Sequence, residues 1–388
     1  MKFARNSLMM SSGREERALI ALSMVDVESM PAPYAEALTA HLNWPWIFMQ
    51  AMQHRVVCIL WENLIKNDLV GAAVRCGLTK NWITYAEQLS RANLEKNQLW
   101  LDCVERIFEA TEAAGLPIAC IKGGALIGDI YHPGNRMLGD IDAIAPQSAR
   151  SEISTLLHEL GFRHGTVDPV RNTLVPLSRE KRRLWNFSAH LMPKFTIATN
   201  DPHVPFFRFA IGFDFFDPHE KYHVPSDAVL ERRVRKSKGS NVSILADVDM
   251  VVNLCVHIYR EAISATFGFM GDNWALWKFC DLRSYLVRHD SEELRERVAT
   301  RVAEFGIEKP YFFALYYTKM VYGDPTLDAW INVCDPGTDK SFLYEMVDGT
   351  RRVLYDRPFA DRLFDRGQTI VPGLEPAWAR AMNEGEWW

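Results

Sequence analysis

One short stretch, residues 115–145, constrains the fold more than any other part of the chain. Helical character stops at Gly115-Leu116-Pro117, and Ile118-Ala119-Cys120-Ile121 follows as a short apolar run bounded by turn residues, the pattern of a buried strand. Next come Lys122-Gly123-Gly124, a helix-like piece over Ala125–Ile130 and a loop containing Pro133, Gly134 and Asn135. Leu138–Ala145 then alternates Asp140 and Asp142 with Ile141 and Ala143, which reads as a second strand.

Residues i and i+2 of a strand project to one face, roughly 6 to 7 Å apart along the chain. Asp140 and Asp142 therefore stand side by side while Ile141 points into the core. Adjacent carboxylates repel, and a divalent cation between them relieves the repulsion. An Asp-x-Asp tripeptide alone is common, and its default is a pair of solvated acids on an edge strand. Its surroundings argue for more. Gly123 and Gly124 sit between a strand and a helix start, where missing side chains let phosphate oxygens reach backbone N–H groups. A third acid, Asp214, lies inside the aromatic run Phe206–Phe216, itself strand-like. Two glycines, two acids on one strand and one on a later strand form a layout suited to two-metal phosphoryl or nucleotidyl transfer.

On either side of this core the sequence is helical. Apolar residues recur at three and four spacing from Arg14 to about Ala114, with one long helix expected over Asn81–Ala114. Helices return at Val248–Ala262, Asn273–Arg288, Ser291–Phe305 and Pro310–Val321. The expected organisation is an N-terminal helical region (1–112), a core (113–230) and a C-terminal helical region (231–388). Forty-four basic and forty-nine acidic residues leave a net charge of -5, without the basic excess of a nonspecific nucleic-acid binder. No apolar stretch approaches the roughly 18 residues that span a bilayer. Ala18–Val25 follows the mixed-charge Arg14-Glu15-Glu16-Arg17 and reads as a surface helix rather than a signal segment. Seven cysteines without a CxxC pair read as reduced thiols of a cytoplasmic protein.

The motifs Ile121-Lys122-Gly123-Gly124-Ala125-Leu126, Tyr131-His132-Pro133-Gly134-Asn135-Arg136 and Gly139-Asp140-Ile141-Asp142 resemble the signature of an uncharacterised nucleotidyltransferase family in the polymerase-β-like superfamily. Looser likeness extends over residues 45 to 290, including His54-Arg55-Val56, Leu254–His257 and Trp277–Asp281. The resemblance implies an α+β fold, a polymerase-β-like nucleotidyltransferase core with a small mixed sheet, flanked by helical regions. It implies Mg²⁺- or Mn²⁺-dependent transfer of a nucleoside monophosphate from an NTP, ATP foremost, to an acceptor, with release of pyrophosphate. Asp140, Asp142 and Asp214 would be the catalytic and metal-binding acids. Lys122, Gly123, Gly124 and Arg136 would bind the triphosphate. Gly-Gly stands where the superfamily's commonest pair is Gly-Ser, and it leaves only backbone donors for a phosphate. Phe215 and Phe216 depart from the pattern that follows the third acid, which leaves Asp217, ahead of Asp168, as the alternative to Asp214. The acceptor, a small molecule, peptide or protein hydroxyl, is not legible, nucleic acid is disfavoured but open, and no membrane partner is expected. A nucleotide-binding scaffold or sensor is the alternative function.

Other features have plain explanations. The basic run Arg232-Arg233-Val234-Arg235-Lys236-Ser237-Lys238 reads as a solvated linker, and Arg179–Arg183 as a solvated face. His257 on an apolar helix reads as a satisfied core residue. Trp274 and Trp277 suit inter-helix packing as well as stacking on a base. Glu386-Trp387-Trp388 suggests a docked chain end.

Overall fold

A computed structural model describes residues 13–25, 41–168, 170–186, 190–217, 220–348, 351–354 and 357–364. The Glu386-Trp387-Trp388 segment lies outside them. The fold is α+β: a mixed sheet with helical flanks. The chain forms two compact units, one of Gln88–Asn253 and one of Met1–Glu87 with Leu254–Trp388. The sheet-bearing unit is thus wider than 113–230, because it takes in part of the long helix before it and two short strands after it.

That unit is built on eight strands: β1 (Ala119–Ile121), β2 (Ile141–Ile144), β3 (Arg163–Asp168), β4 (Thr173–Pro176), β5 (Phe195–Ala198), β6 (Phe206–Gly212), β7 (Val234–Arg235) and β8 (Ser243–Ile244). Their order across the sheet is β4-β3-β5-β6-β2-β1-β8-β7. β2 sits at the centre, antiparallel to β1 and parallel to β6, with Asp142 opposite Ile121 on one side and Ala210 on the other. The buried face is made by Ile141 and Ala143 of β2 and Phe207, Phe209 and Ile211 of β6. Trp100 of the helix Lys80–Ala113 meets Phe207 edge-on, with ring centroids 5.6 Å apart. That helix ends where the sequence reading places its end: Gly115 takes a φ of 67°, a left-handed conformation that suits glycine.

Two strand boundaries differ from expectation. β2 begins at Ile141, so Asp140 lies one residue ahead of it, and β6 stops at Gly212, so Asp214 lies beyond its end. The expected linker at 232–238 is a correction of substance. Val234 and Arg235 form β7, and the cations around them are bound within this unit. Arg232 grips the fully buried Asp249 through its Nη2 and Nε, Arg235 pairs with Glu112, and Lys236 donates to the Gly124 carbonyl at 2.8 Å. Composition signalled a solvated run because the partners lie in other parts of the chain.

The other unit is helical apart from a hairpin, β9 (Glu345–Asp348) with β10 (Arg351–Leu354). Its helices include Trp44–Gln53, Val57–Lys66, Leu276–Arg288, Glu292–Phe305 and Glu308–Tyr322. The helix Arg14–Leu22 is not a surface element, since Ala18 through Leu22 are fully buried. Trp274 packs among Phe279, Phe313, Tyr317 and Phe359, and Trp277 lies against His257. His257 bonds Glu261 at 2.8 Å, the satisfied state expected of it. No helix among the described residues is long and apolar enough to cross a membrane, and none of the seven cysteines forms a disulfide.

Candidate active site

The loop that delivers Asp140 is fixed from one side by the long helix. Asn93 and Asn97, one turn apart and both buried, donate to the Gly134, Pro133 and Arg136 carbonyls at 2.6–2.8 Å. Lys96 donates to the Leu138 carbonyl at 2.7 Å. Asparagine is a weak helix former, and two of them facing inward on a leucine-rich helix were the available signal of this clamp. A buried amide is stable only when its hydrogen bonds are made, and here the loop backbone makes them.

Downstream of the clamp, Asp140 and Asp142 emerge on one face while Ile141 is buried beneath the sheet. Their side chains are 24% and 27% exposed, enough for a ligand to reach both. Each carboxylate already has a cation. Lys122 Nζ lies 3.0 Å from Asp142 Oδ1, and Lys194 Nζ lies 2.5 Å from Asp140 Oδ2. Burial pushes the Asp140 carboxyl up, but the charge and hydrogen bond of Lys194, with Lys122 and Arg208, outweigh it and hold the group below the ordinary carboxylate range. Lys194 was invisible to sequence reasoning, because it lies in a stretch without clear periodicity and reaches Asp140 only through strand pairing.

The glycine pair sits directly beside the acids. Lys122 takes a φ of 53°, an uncommon left-handed turn for a residue with a side chain, and it swings the chain from β1 into the short helix Lys122–Leu126. N–H groups in a first helical turn have no partner within the helix. Both glycines are required by packing as well. A Cβ on Gly123 would fall 2.6 Å from Leu138 Cδ2, and one on Gly124 would fall 2.9 Å from Cys120 Sγ and 3.1 Å from Ile141. This is why a serine cannot follow Gly123 here without displacing the core. Burial pushes the Cys120 thiol up to about 12, so this residue packs rather than reacts. Arg136 is buried beside the same turn, its Nη2 3.5 Å from the point a Gly123 side chain would occupy, and its Nη1 donates to the Met137 carbonyl at 2.6 Å.

Asp214 is not brought to this cluster. Register places Ala210 next to Asp142, and Asp214 follows four residues later, past the end of β6. Its Oδ1 instead accepts the backbone N–H groups of Phe216 at 2.8 Å and Val224 at 3.0 Å, holding a turn whose flanking Phe213 and Phe215 are buried. Neither alternative replaces it: Asp217 pairs with His190 at 3.0 Å, and Asp168 closes the β3–β4 turn onto Val170 and Arg171. Among the described residues, no three Asp, Glu, His or Cys side chains are grouped to hold a metal. The Asp140–Asp142 pair does fit one Mg²⁺, which commonly takes one or two protein carboxylates and completes its shell with phosphate and water.

The model of a family described as uncharacterised nucleotidyltransferases matches residues 40–323. The chain belongs to this family. No curated protein and no solved structure matches it. The nucleotidyltransferase match takes in the whole sheet together with helices on both sides, a wider span than the 45 to 290 over which the motifs showed likeness.

Proposed function

We propose that this nucleotidyltransferase moves a nucleoside monophosphate from an NTP, ATP foremost, to a hydroxyl of a small molecule, peptide or protein, and releases pyrophosphate. The observation that carries this reading is the placement of Asp140 and Asp142 on one open face next to the Gly123-Gly124 turn. When bound there, Mg²⁺ or Mn²⁺ would neutralise phosphate charge and make the pyrophosphate a better leaving group. Asp140 and Asp142 would hold that ion. The first-turn N–H groups of the glycine pair would take the β and γ phosphates, while the core, Leu138 at Gly123 and Cys120 and Ile141 at Gly124, fills the side on which each Cβ is missing. Lys122 and Arg136 add charge at the same turn, and Arg136, held in place by its buried setting, gives direction as well.

A second reading draws on one specific observation. Asp214 serves a turn away from the pair, so among the described residues no third acid is grouped with it to receive the proton of an attacking hydroxyl. That favours a catalytically weak nucleotide-binding scaffold or sensor on the same site.

Pyrophosphate release with each NTP and Mg²⁺ or Mn²⁺ separates the two. Mass spectrometry of a cell lysate incubated with the protein and labelled ATP would identify the acceptor as a species heavier by one nucleoside monophosphate. Transfer reading: such a species forms, and Asp142→Asn abolishes it. A chain that binds Mg-NTP yet releases no pyrophosphate with any acceptor is the sensor.

A further inference from the structure

The face that carries the two acids also contains an arrangement that the third-acid expectation did not foresee, and its interpretation rests on the nucleotidyltransferase reading. Asp142 lies opposite Ala210, and the same parallel register carried back two places sets Arg208 beside Asp140. On the far side of β6, β5 pairs Thr196 with Arg208 and Phe195 with Phe209, so the next residue, Lys194, comes level with Ala210. Alanine leaves the space above β6 open. Lys194 extends through that space and reaches Asp140 at 2.5 Å.

The positions closest to both acids on the neighbouring strand are therefore an alanine and an arginine, with a lysine reaching in above them. A second divalent ion would need a carboxylate there and would face two positive charges instead. A triphosphate carries the opposite requirement: it brings several negative charges and is bound well by lysine and arginine.

We infer that this site takes one divalent ion per nucleotide, held by Asp140 and Asp142, and that Lys194 and Arg208 bind the triphosphate in the space a second ion would fill. Before nucleotide arrives, Lys194 compensates Asp140. On arrival the ion takes over that carboxylate and Lys194 turns to phosphate.

The test is a count of bound Mn²⁺ on the full chain by electron paramagnetic resonance, without nucleotide and with the α,β-methylene analogue of each of the four NTPs. One nucleotide-dependent Mn²⁺ per chain is expected. Two per chain would overturn the one-ion site while leaving the nucleotidyltransferase reading in place, and no nucleotide-dependent Mn²⁺ with any analogue would overturn both. The lysine and arginine are tested separately by fluorescence titration of the bound analogue. Lys194→Met and Arg208→Met should each weaken it by about tenfold or more, the loss of one charge-assisted hydrogen bond, with the ion count still one. Lys194→Met should leave Mn²⁺ affinity without nucleotide unchanged or tighter, since it frees Asp140, a split that a merely structural role for the lysine would not produce. Unchanged analogue affinity in both variants would overturn their assignment. Both side chains reach solvent, so the variants are expected to fold, and their unfolding midpoints check this.

Discussion

Replacing Gly124 by serine adds a hydroxyl side chain to the glycine turn, and the structure predicts that it harms the protein. The new Cβ would meet Cys120 Sγ at 2.9 Å and two Ile141 carbons at 3.1 Å, distances below ordinary contact. Cys120 and Ile141 belong to or flank adjacent central strands and are both buried, so neither has free space to move into. Overpacking of this kind costs about 1–3 kcal/mol, and the better helix propensity of serine returns about 0.5 kcal/mol. The net expectation is a loss of about 1.5 kcal/mol, or a fall in melting temperature of about 3–6 °C for a unit of this size. Urea unfolding of wild type, Gly124→Ser, Cys120→Ala and the double variant forms a cycle. The serine should cost less in the Cys120→Ala background, because the closest atom is gone, though not nothing, because Ile141 remains. A Gly124→Ser protein as stable as wild type would refute the claim that packing excludes the serine.

Other expectations follow from particular contacts. Asn97→Ala should destabilise the protein by about 1–2 kcal/mol, since the Pro133 carbonyl loses this donor and the Arg136 carbonyl keeps only the longer bond from Asn93, and urea unfolding measures it. Asp214→Ala should cost about 1–2 kcal/mol through its two lost backbone hydrogen bonds while leaving metal-dependent nucleotide binding at the wild-type level, which calorimetric titration reads directly. Burial lowers the Lys236 pKa below the ordinary lysine value, partly offset by the nearby Cys120, Glu105 and Asp129. The unfolded chain then binds more protons than the folded one between the two pKa values, so stability gains with rising pH through that window. Wild type should improve relative to Lys236→Met between pH 7 and pH 10 in urea unfolding, and a shrinking difference would contradict the burial of this lysine.

What the sequence made legible was local. The turn from β1 through Gly123-Gly124, the Asp140–Asp142 pair and the long helix up to Gly115 each depend on neighbours a few residues apart, which periodicity and turn chemistry report. Fold class followed from these pieces and from the resemblance of their motifs. The site's other half depends on register between strands far apart in sequence. Whether Ala210 or Asp214 stands beside Asp142 is decided by a β2–β6 alignment that no local pattern encodes, and a shift of four residues turns a catalytic acid into a turn-holding one. Lys194 was missed for the same reason, since only β5–β6 pairing brings it level with Ala210. The run at 232–238 is exposed at five of its seven positions, as its composition indicates, yet it holds a strand rather than a linker, with Glu112 and Asp249 from other parts of the chain pairing its arginines.

The central claim is that Asp140 and Asp142 bind a metal–nucleotide complex at the Gly123-Gly124 turn. Calorimetric titration of the intact chain with each NTP, with and without Mg²⁺, tests it most directly, using Asp142→Asn as the control. At least one NTP should bind in a way that requires Mg²⁺, and that binding should weaken by about tenfold or more in Asp142→Asn. Binding that is independent of Mg²⁺ and unchanged in that variant, or no binding of any NTP, would contradict it.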